Sequence, residues 1–399
     1  MDFTVFEASG SLGGVWHFDP RVGVDEDGIP IFSKTYKDLR TNTPYLQAEF
    51  NDFPFPNGTS TYPSWECIHK YLLALATQFE LLQHIQLRRL VTSVKRYENQ
   101  WQLTYWRGDT RDTVTEACDY VVIATGRFSE PVWPVIQGAS MFQGTINHSH
   151  TYRGETEVYR NRRVLILGAG PTALDLATQI SSVASKLFHS HHRTLNLPVH
   201  EESYVKKPDI RTFTQNGVIF IDGSFEEVDD VIYCTGYSLS HPFLDESSDL
   251  IITRNFILPL YRKIVNIKHP NMLFVGITHN FIQKIYAAQG HYAASLIAGR
   301  FQLPSEDDMM KDWIEEVNQN LPNLENIGVL SGENNMVSKL ITFGTRIPPI
   351  PPVIISMRDF SQTNLANDFI HFREYDWHII DDHNFDRIYV GPKELTCPL

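Results

Sequence analysis

Apolar positions along this chain switch between short unbroken runs and helical spacing, and the clearest switch falls between residues 163 and 184. Val164, Leu165, Ile166 and Leu167 form a continuous apolar run of the kind seen in strands buried on both faces. Leu176, Ala177, Ile180, Val183 and Ala184 then recur at helical spacing. Between them, Gly168, Gly170 and Ala173 make a G-x-G-x-x-A turn. A strand, glycine turn and helix in this order predict a dinucleotide phosphate cradle. Gly168 permits the tight turn and Gly170 lets backbone N–H groups approach a pyrophosphate, while Pro171 suits the first helical position, where its missing N–H costs little.

Lys186 to His191 reads as the next strand, and a ribose-contacting residue is due about 20 positions beyond the glycines. No Asp or Glu stands there. Arg193 does, and a guanidinium pairs with a 2′-phosphate, which favours NADP over NAD. His189, His191 and His192 lack a Cys or carboxylate set at ligand spacing, so no metal is expected.

Phe3 to Glu7 reads as a short strand ending in an acid that accepts hydrogen bonds from ribose hydroxyls, followed by Gly13, Gly14, Val15 and Trp16 in a turn that allows close approach to a flavin nucleotide. The strand, glycine loop and helix that precede such an acid are not in the sequence, so roughly 30 residues of a βαβ unit are expected to be missing ahead of Met1. Asp19 to Pro63 is loop-rich. Ser64 then caps a helix with Ile68, Tyr71, Leu72, Leu75 and Phe79 on its core face. Leu87 to Val94 and Trp101 to Trp106 alternate like antiparallel strands, feeding a buried strand that closes in Ala124-Thr125-Gly126. A second Thr-Gly turn, Thr235-Gly236 with Tyr237 after it, suggests two return crossings between domains. Asn271 to Gly276 reads as a strand and Ala287 to Arg300 as a helix with Gln289 near its start. Past Pro304 come an acidic helix (Asp307 to Gln319), a proline run at 348–352 and an aromatic, acidic tail in which no chemistry is legible.

Composition narrows the function. With 34 basic and 47 acidic residues the net charge is −13, which argues against nucleic acid or an anionic membrane surface as partner. An anionic cofactor must be held by local dipoles and a few Arg or Lys. Cys67, Cys118, Cys234 and Cys397 form no C-x-x-C, so neither a redox dithiol nor a metal knuckle is indicated, and a reducing compartment is the simple reading. No apolar stretch reaches membrane-spanning length. The chain as given reads as soluble and cytoplasmic, with an upstream targeting signal left open.

In their order these segments resemble the flavin-containing monooxygenase family over about Phe3 to Leu303. Phe142, Gly144, His148, Tyr152 and Arg153 stand in the family's F-x-G-x-x-x-H-x-x-x-Y linker pattern, and Thr41-Asn42 followed by Asp52 to Pro56 matches its active-site segment. The short spacing from Gly170 to Cys234 is similar to the compact NADP domain of insect-type members, including pyrrolizidine-alkaloid N-oxygenases. The resemblance implies an α/β fold of two dinucleotide-binding domains, the NADP domain inserted in an FAD domain that lacks its first βα unit. Expected boundaries are 1–153 (FAD, first part), 154–240 (NADP), 241–304 (FAD, return) and 305–399 (extension).

It further implies FAD and NADPH as cofactors, O2 and a small-molecule amine or sulfide as partners, and oxygenation of a soft nitrogen or sulfur through a C4a-hydroperoxyflavin. Homo-oligomerisation is left open. Asn42 is the implied catalytic residue, hydrogen-bonding near the reactive flavin face and the nicotinamide ribose. Glu7, Gly13, Gly14, Val15, Trp16, Thr41 and Thr43 are implied to contact FAD. Gly168, Gly170, Pro171, Thr172, Ala173, Leu174, Asp175 and Arg193 are implied to hold the NADP phosphates. Thr125, Gly126, Thr235, Gly236 and Tyr237 would line the crossings, and Gln289 would face the flavin; His148 and Tyr152 would pack the linker. The missing first cradle gives the alternative of an inactive NADP-binding homologue, and the absent C-x-x-C disfavours a flavin disulfide reductase.

Overall fold

A computed structural model describes residues 2–128, 130–194, 202–277, 283–320, 340, 349–369 and 371–399. Among the described residues the longer helices are α1 (Trp65–Gln78), α2 (Pro171–Ser181), α3 (Gln283–Ile297), α4 (Glu306–Asn320) and α5 (Pro352–Asn367).

The apolar run becomes the strand Arg163–Leu167, at the centre of a parallel sheet ordered Tyr204–Lys207, Lys186–Ser190, Arg163–Leu167, Asp230–Tyr233, Thr145–His148. Its period of two divides the run between two cores. Val164 and Ile166 pack with Ala173, Leu176, Ala177 and Ile180 of α2. Leu165 and Leu167 pack with Phe213, Val218 and Phe220, from an antiparallel sheet of Ile210–Phe213, Gly217–Phe220 and Phe225–Glu227. With both faces covered, the strand has no polar alternation to show. The strand Thr145–His148 belongs to this sheet although the sequence reading placed it in the preceding linker, so the sheet reaches back ahead of residue 154.

Around this unit lies the other. Arg89–Tyr97, Gln100–Arg107 and Asp112–Cys118 form an antiparallel sheet that leads into Val121–Ile123, which pairs in parallel with Met272–Phe274. That pairing joins chain from before and after the parallel sheet. The inserted-domain architecture follows, an α/β fold with one nucleotide-type unit nested in another. Val5–Phe6 is a short strand, paired in parallel with Ile85–Gln86.

Two helix readings shift. Phe79, expected in the core, is 47% exposed, because α1 stops at Gln78 and the capping geometry at Phe79 turns it off the buried face. α3 starts earlier than expected, since Ile285, Ala288 and Tyr292 continue one buried stripe, and Gln289 therefore sits inside the helix.

The tail departs most from its sequence reading. The proline run hides a helix: Pro351 caps α5 and Pro352 occupies its first turn, where a missing N–H is harmless. A hairpin follows, Tyr375–Ile379 against Phe385–Tyr389. Val353, Ile354, Met357, Phe372 and Trp377 share one core with Ile285 and Tyr292 of α3 and with Leu174 of α2. The chain end is also bonded to α1, through a disulfide between Cys67 and Cys397 with a Cα–Cα distance of 5.7 Å across 330 residues. Spacing rules do not see a pair so far apart, and the bond does not fit the expectation of a reducing compartment. Among the described residues no helix is long and apolar enough to cross a membrane.

Thiol titration of the unfolded, unreduced chain is expected to find two reactive groups, Cys118 and Cys234, and four after reduction. Cys397→Ser should lower stability by about 2–5 kcal/mol in denaturant titrations. Four thiols without reductant would rule out the pairing.

A candidate dinucleotide cleft

The glycine turn is shaped by its neighbours. Gly168 has φ of +124°, and a Cβ there would lie 2.4 Å from the carbonyl oxygen of Cys234, so the turn tolerates no side chain where the second crossing strand passes. Gly170 differs, because a Cβ there would meet nothing within 4 Å; its bareness opens space at the start of α2. Pro171 has no N–H and the Leu174 N–H closes on the Gly170 carbonyl at 3.2 Å. The Thr172 and Ala173 N–H groups are left as helix-terminal donors, where the helix dipole favours an anion.

Arg193 is exposed and reaches back over the turn, its Nη1 donating to the Ala169 carbonyl at 3.4 Å. His192 pairs with Asp209 at 3.0 Å, and Lys206 donates to the Arg193 carbonyl at 2.7 Å. Beneath them, buried His189 places Nε2 2.7 Å from the Gly168 carbonyl and Nδ1 3.1 Å from the Tyr204 hydroxyl. A carbonyl only accepts, so Nε2 carries the proton and Nδ1 accepts from Tyr204. Burial pushes His189 and His191 down to about 4, which keeps both neutral. The histidines thus brace the turn, and among the described residues no cluster has the makings of a metal site.

The segment Thr41 to Thr43 is tied to α2 through the C-terminal tail. The Thr41 N–H donates to the Pro63 carbonyl at 3.0 Å, and its buried hydroxyl has no protein partner. The Asn42 Oδ1 accepts from Arg373 Nη2 at 2.5 Å, Arg373 Nε donates to the Thr41 carbonyl at 3.2 Å, and Arg373 Nη1 donates to Asp175 Oδ1 at 3.1 Å. The Tyr36 hydroxyl donates to the other Asp175 oxygen at 2.5 Å. Asp175, expected against phosphate, is 6% exposed with both oxygens engaged; a buried, occupied carboxylate is an unsuitable phosphate ligand. Leu174 and Ala173 are buried too, their side chains turned into the core. A cavity of about 270 Å³ lies between α2 and the tail hairpin, lined by Arg40, Thr61, Asp175, Gln179, Arg373 and Lys393. A larger surface cavity of about 590 Å³ shares none of these residues.

The remaining expected residues form other groups. Glu7 Oε1 accepts from the Ser9 N–H at 2.8 Å. Gly13 and Gly14 both take positive φ and lead the turn Gly14–Trp16 past α1, with the Val15 carbonyl accepting from Thr35. At the crossings, Thr125 meets His241 Nε2 at 3.2 Å, Thr235 donates to the Val132 carbonyl at 2.5 Å, and the Tyr237 hydroxyl lies 3.4 Å from His150 Nδ1. Gly126 and Gly236 adopt positive φ there. Lys34, which the sequence did not single out, sets Nζ 3.6 Å from the Phe128 ring centre and 4.7 Å from that of Tyr237; burial, with Arg127 nearby, lowers its pKa to about 7. Gln289 is fully buried, its Oε1 accepting from the Gly276 N–H at 3.0 Å while Nε2 has no protein partner. His148 is pushed down to about 4 by burial and its Nδ1 accepts from the His150 N–H. Burial raises Tyr152, whose hydroxyl donates to Gln179. Both side chains are buried.

A nested pair of nucleotide-type units with a glycine turn at one crossing defines a class of dinucleotide-dependent oxidoreductases. Residues 1–197 and 199–354 match the family described as flavin-binding monooxygenase-like, and the chain belongs to that family. It is an enzyme of the flavin monooxygenase class, which uses FAD and NADPH. It is similar to the senecionine N-oxygenase of Tyria jacobaeae, 42% identical over 410 aligned positions that take in 100% of this chain and 89% of that one. In structure it is similar to Tmm from Pelagibacter sp. strain HTCC7211, with TM-score 0.82, 26% identity, and 93% and 86% of the two chains covered. It shares its fold with the S-allyl-L-cysteine S-oxygenase from Allium sativum, with TM-score 0.84, 24% identity, and 93% and 89% covered. The reading as an inactive NADP-binding homologue is not supported, since similarity to an N-oxygenase runs the length of the chain.

The two glycines should separate by mutation. Gly170→Ala is expected to keep the melting temperature within a degree or two and weaken NADP⁺ binding at least 10-fold by filling the approach to the α2 N–H groups, whereas Gly168→Ala should lower both. Calorimetric titration with NADP⁺ beside thermal melts distinguishes them.

Proposed function

We propose that this protein is an NADPH- and FAD-dependent monooxygenase that oxygenates the soft nucleophilic nitrogen of a small tertiary amine, with sulfide sulfur as the second substrate class. The observation that carries this reading is the glycine turn opening α2, with Arg193 folded back on it and with Asp175 of the same helix joined through Arg373 to Asn42. The 42% identity to an enzyme named as an N-oxygenase supports nitrogen over sulfur.

The buried polar atoms fit such cofactors. Thr41 Oγ1 and Gln289 Nε2 are buried without partners, and buried groups of this kind ordinarily find a partner in the protein, in ordered water or in a ligand. The flavin, reduced by NADPH, supplies the oxygen-transfer chemistry. The chain's residues bind, orient and exclude water. Gly168, Gly170, Pro171, Thr172, Ala173 and the backbone of Leu174 form the NADP phosphate cradle, and Arg193 takes the 2′-phosphate. Asn42 donates its amide N–H toward the cofactors, with Thr41 and Thr43 beside it. Glu7, Gly13, Gly14, Val15, Trp16 and Gln289 serve the flavin, and Thr125, Gly126, Thr235, Gly236 and Tyr237 line the crossings. Asp175 stands behind this surface, holding Arg373. The proposed organisation keeps the FAD unit in two parts, with the NADP unit between them and a packed C-terminal extension.

Purified protein should be yellow or become so with added FAD, and should consume O2 and NADPH together with a tertiary amine to give its N-oxide, identified by mass spectrometry. Protein that stays colourless with FAD sinks the proposal. Arg193→Ala should raise KM for NADPH by about 10–100-fold, the worth of a charge-assisted hydrogen bond, and leave KM for NADH nearly unchanged. Equal losses with both nucleotides would remove Arg193 from the 2′-phosphate site.

A further inference from the structure

The guanidinium of Arg373 is fixed at every corner. It belongs to the short turn Phe372–Glu374 at the foot of the tail hairpin, and its side chain is 17% exposed. Nε, Nη1 and Nη2 donate to the Thr41 carbonyl, to Asp175 Oδ1 and to Asn42 Oδ1, and the group lies 4.7 Å from the centre of the Phe372 ring. Asp175 is held from its other side by Tyr36, whose hydroxyl keeps its proton because burial and the carboxylate both raise its pKa. Arg40, nearby, is lowered to about 10 by burial and by Arg373, and remains a cation at neutral pH.

This arrangement decides something an asparagine cannot decide for itself. The two ends of a carboxamide are nearly the same size and differ only in chemistry, one accepting and one donating. Arginine has donors and no acceptor, so the end of Asn42 that meets Arg373 must be Oδ1. The NH2 end then faces away from Arg373, and among the described residues no hydrogen bond takes it. Turning the amide over would set its N–H bonds against those of the guanidinium and leave a charged donor unpaired.

We propose that Arg373, anchored by Asp175, is a positioning residue that fixes the polarity of the Asn42 amide, holding Oδ1 to itself and leaving the N–H end for the dinucleotide. The proposal rests on the reading of Asn42 given above. The C-terminal segment, which carries no recognisable motif, thereby sets the polarity of the donor in the active-site segment. Arg373 acts through Asn42, so its effect on cofactor binding should vanish once Asn42 is gone.

The test is a double-mutant cycle on NADP⁺ affinity, measured by calorimetry on the full-length flavoprotein and accompanied by thermal melts. Arg373→Gln and Asn42→Ala are each expected to weaken NADP⁺ about 10-fold, the worth of one misdirected or missing hydrogen bond, and the double variant to show the same loss of about 10-fold. Losses that multiply to about 100-fold would mean that Arg373 meets the cofactor independently, and wild-type affinity in Arg373→Gln would mean that it does nothing; either overturns the proposal. Asn42→Asp gives a measurement independent of how Arg373 variants fold, because aspartate still accepts from Arg373 and has no N–H to offer. It should melt like wild type and lose NADP⁺ affinity like Asn42→Ala, and undiminished affinity would overturn the proposal. Wild-type protein that fails to bind NADP⁺ at all would count against the proposed function and not against the relay.

Discussion

Asp175 is a carboxylate on the buried face of α2, 6% exposed, and the structure around it is arranged to make that placement tolerable. An unpaired buried carboxylate costs several kcal/mol, and a paired one is acceptable only when its remaining lone pairs are also satisfied. Here one oxygen takes the Tyr36 hydroxyl and the other the Arg373 guanidinium. The three residues come from three stretches of chain, the loop-rich first segment, the inserted parallel-sheet unit and the tail. Asp175 of α2 is thus satisfied by groups from both of the other stretches. The apolar packing agrees, since Leu174, next to Asp175, lies in the same core as Trp377 of the hairpin and Tyr292 of α3.

Binding an anionic cofactor to a chain of net charge −13 poses the opposite problem, and local geometry answers it. The long-range field of such a chain opposes a phosphate, but beyond about 8–10 Å that field is screened at physiological salt. Within that distance, in the proposed site, the anion would meet the N–H donors at the start of α2, Arg193 over the glycine turn and Lys206 behind it. The Gly168 carbonyl, whose oxygen would oppose an anion, is drawn off by His189 Nε2. Burial keeps His189 neutral, so the brace works as a hydrogen bond and adds no charge that would vary with pH near neutrality.

What the sequence made legible divides along physical lines. Local signals were readable because their cause is local. The strand–turn–helix at residues 163 to 181, the Ser64 cap and the two Thr-Gly crossings each express backbone sterics or hydrogen bonding within a few residues. The inserted domain followed from the resemblance to a known family. Contacts made across the chain were not readable. Cys67 and Cys397 lie 330 residues apart, Asn42 and Arg373 lie 331 apart, and neither spacing nor periodicity marks them. The tail was misread for a related reason: α5 begins on prolines that look like a break, and the aromatic hairpin has no motif beyond its packing. Asp175 was readable as a position near the cradle, but its role depends on Tyr36 and Arg373, which only the fold brings to it.

The inventory of reactive side chains in the cleft is short, and the reason lies in where the chemistry resides. When a bound cofactor supplies the electrons and carries the oxygen, the protein has no bond of its own to break. What it contributes is a set of donors and acceptors whose directions are fixed before the cofactor arrives. Fixing them in advance leaves some polar atoms buried without partners in the protein, as at Thr41 Oγ1 and Gln289 Nε2, and each such atom weakens the ligand-free fold by the desolvation it suffers. A ligand that satisfies those atoms recovers that energy on binding, so part of its affinity is a deficit already present in the fold. The same reasoning explains why the donor at Asn42 is secured by a buried ion pair and not by a lone hydrogen bond. An amide free to turn would offer the cofactor either polarity, and the fold removes that freedom with a residue that can only donate.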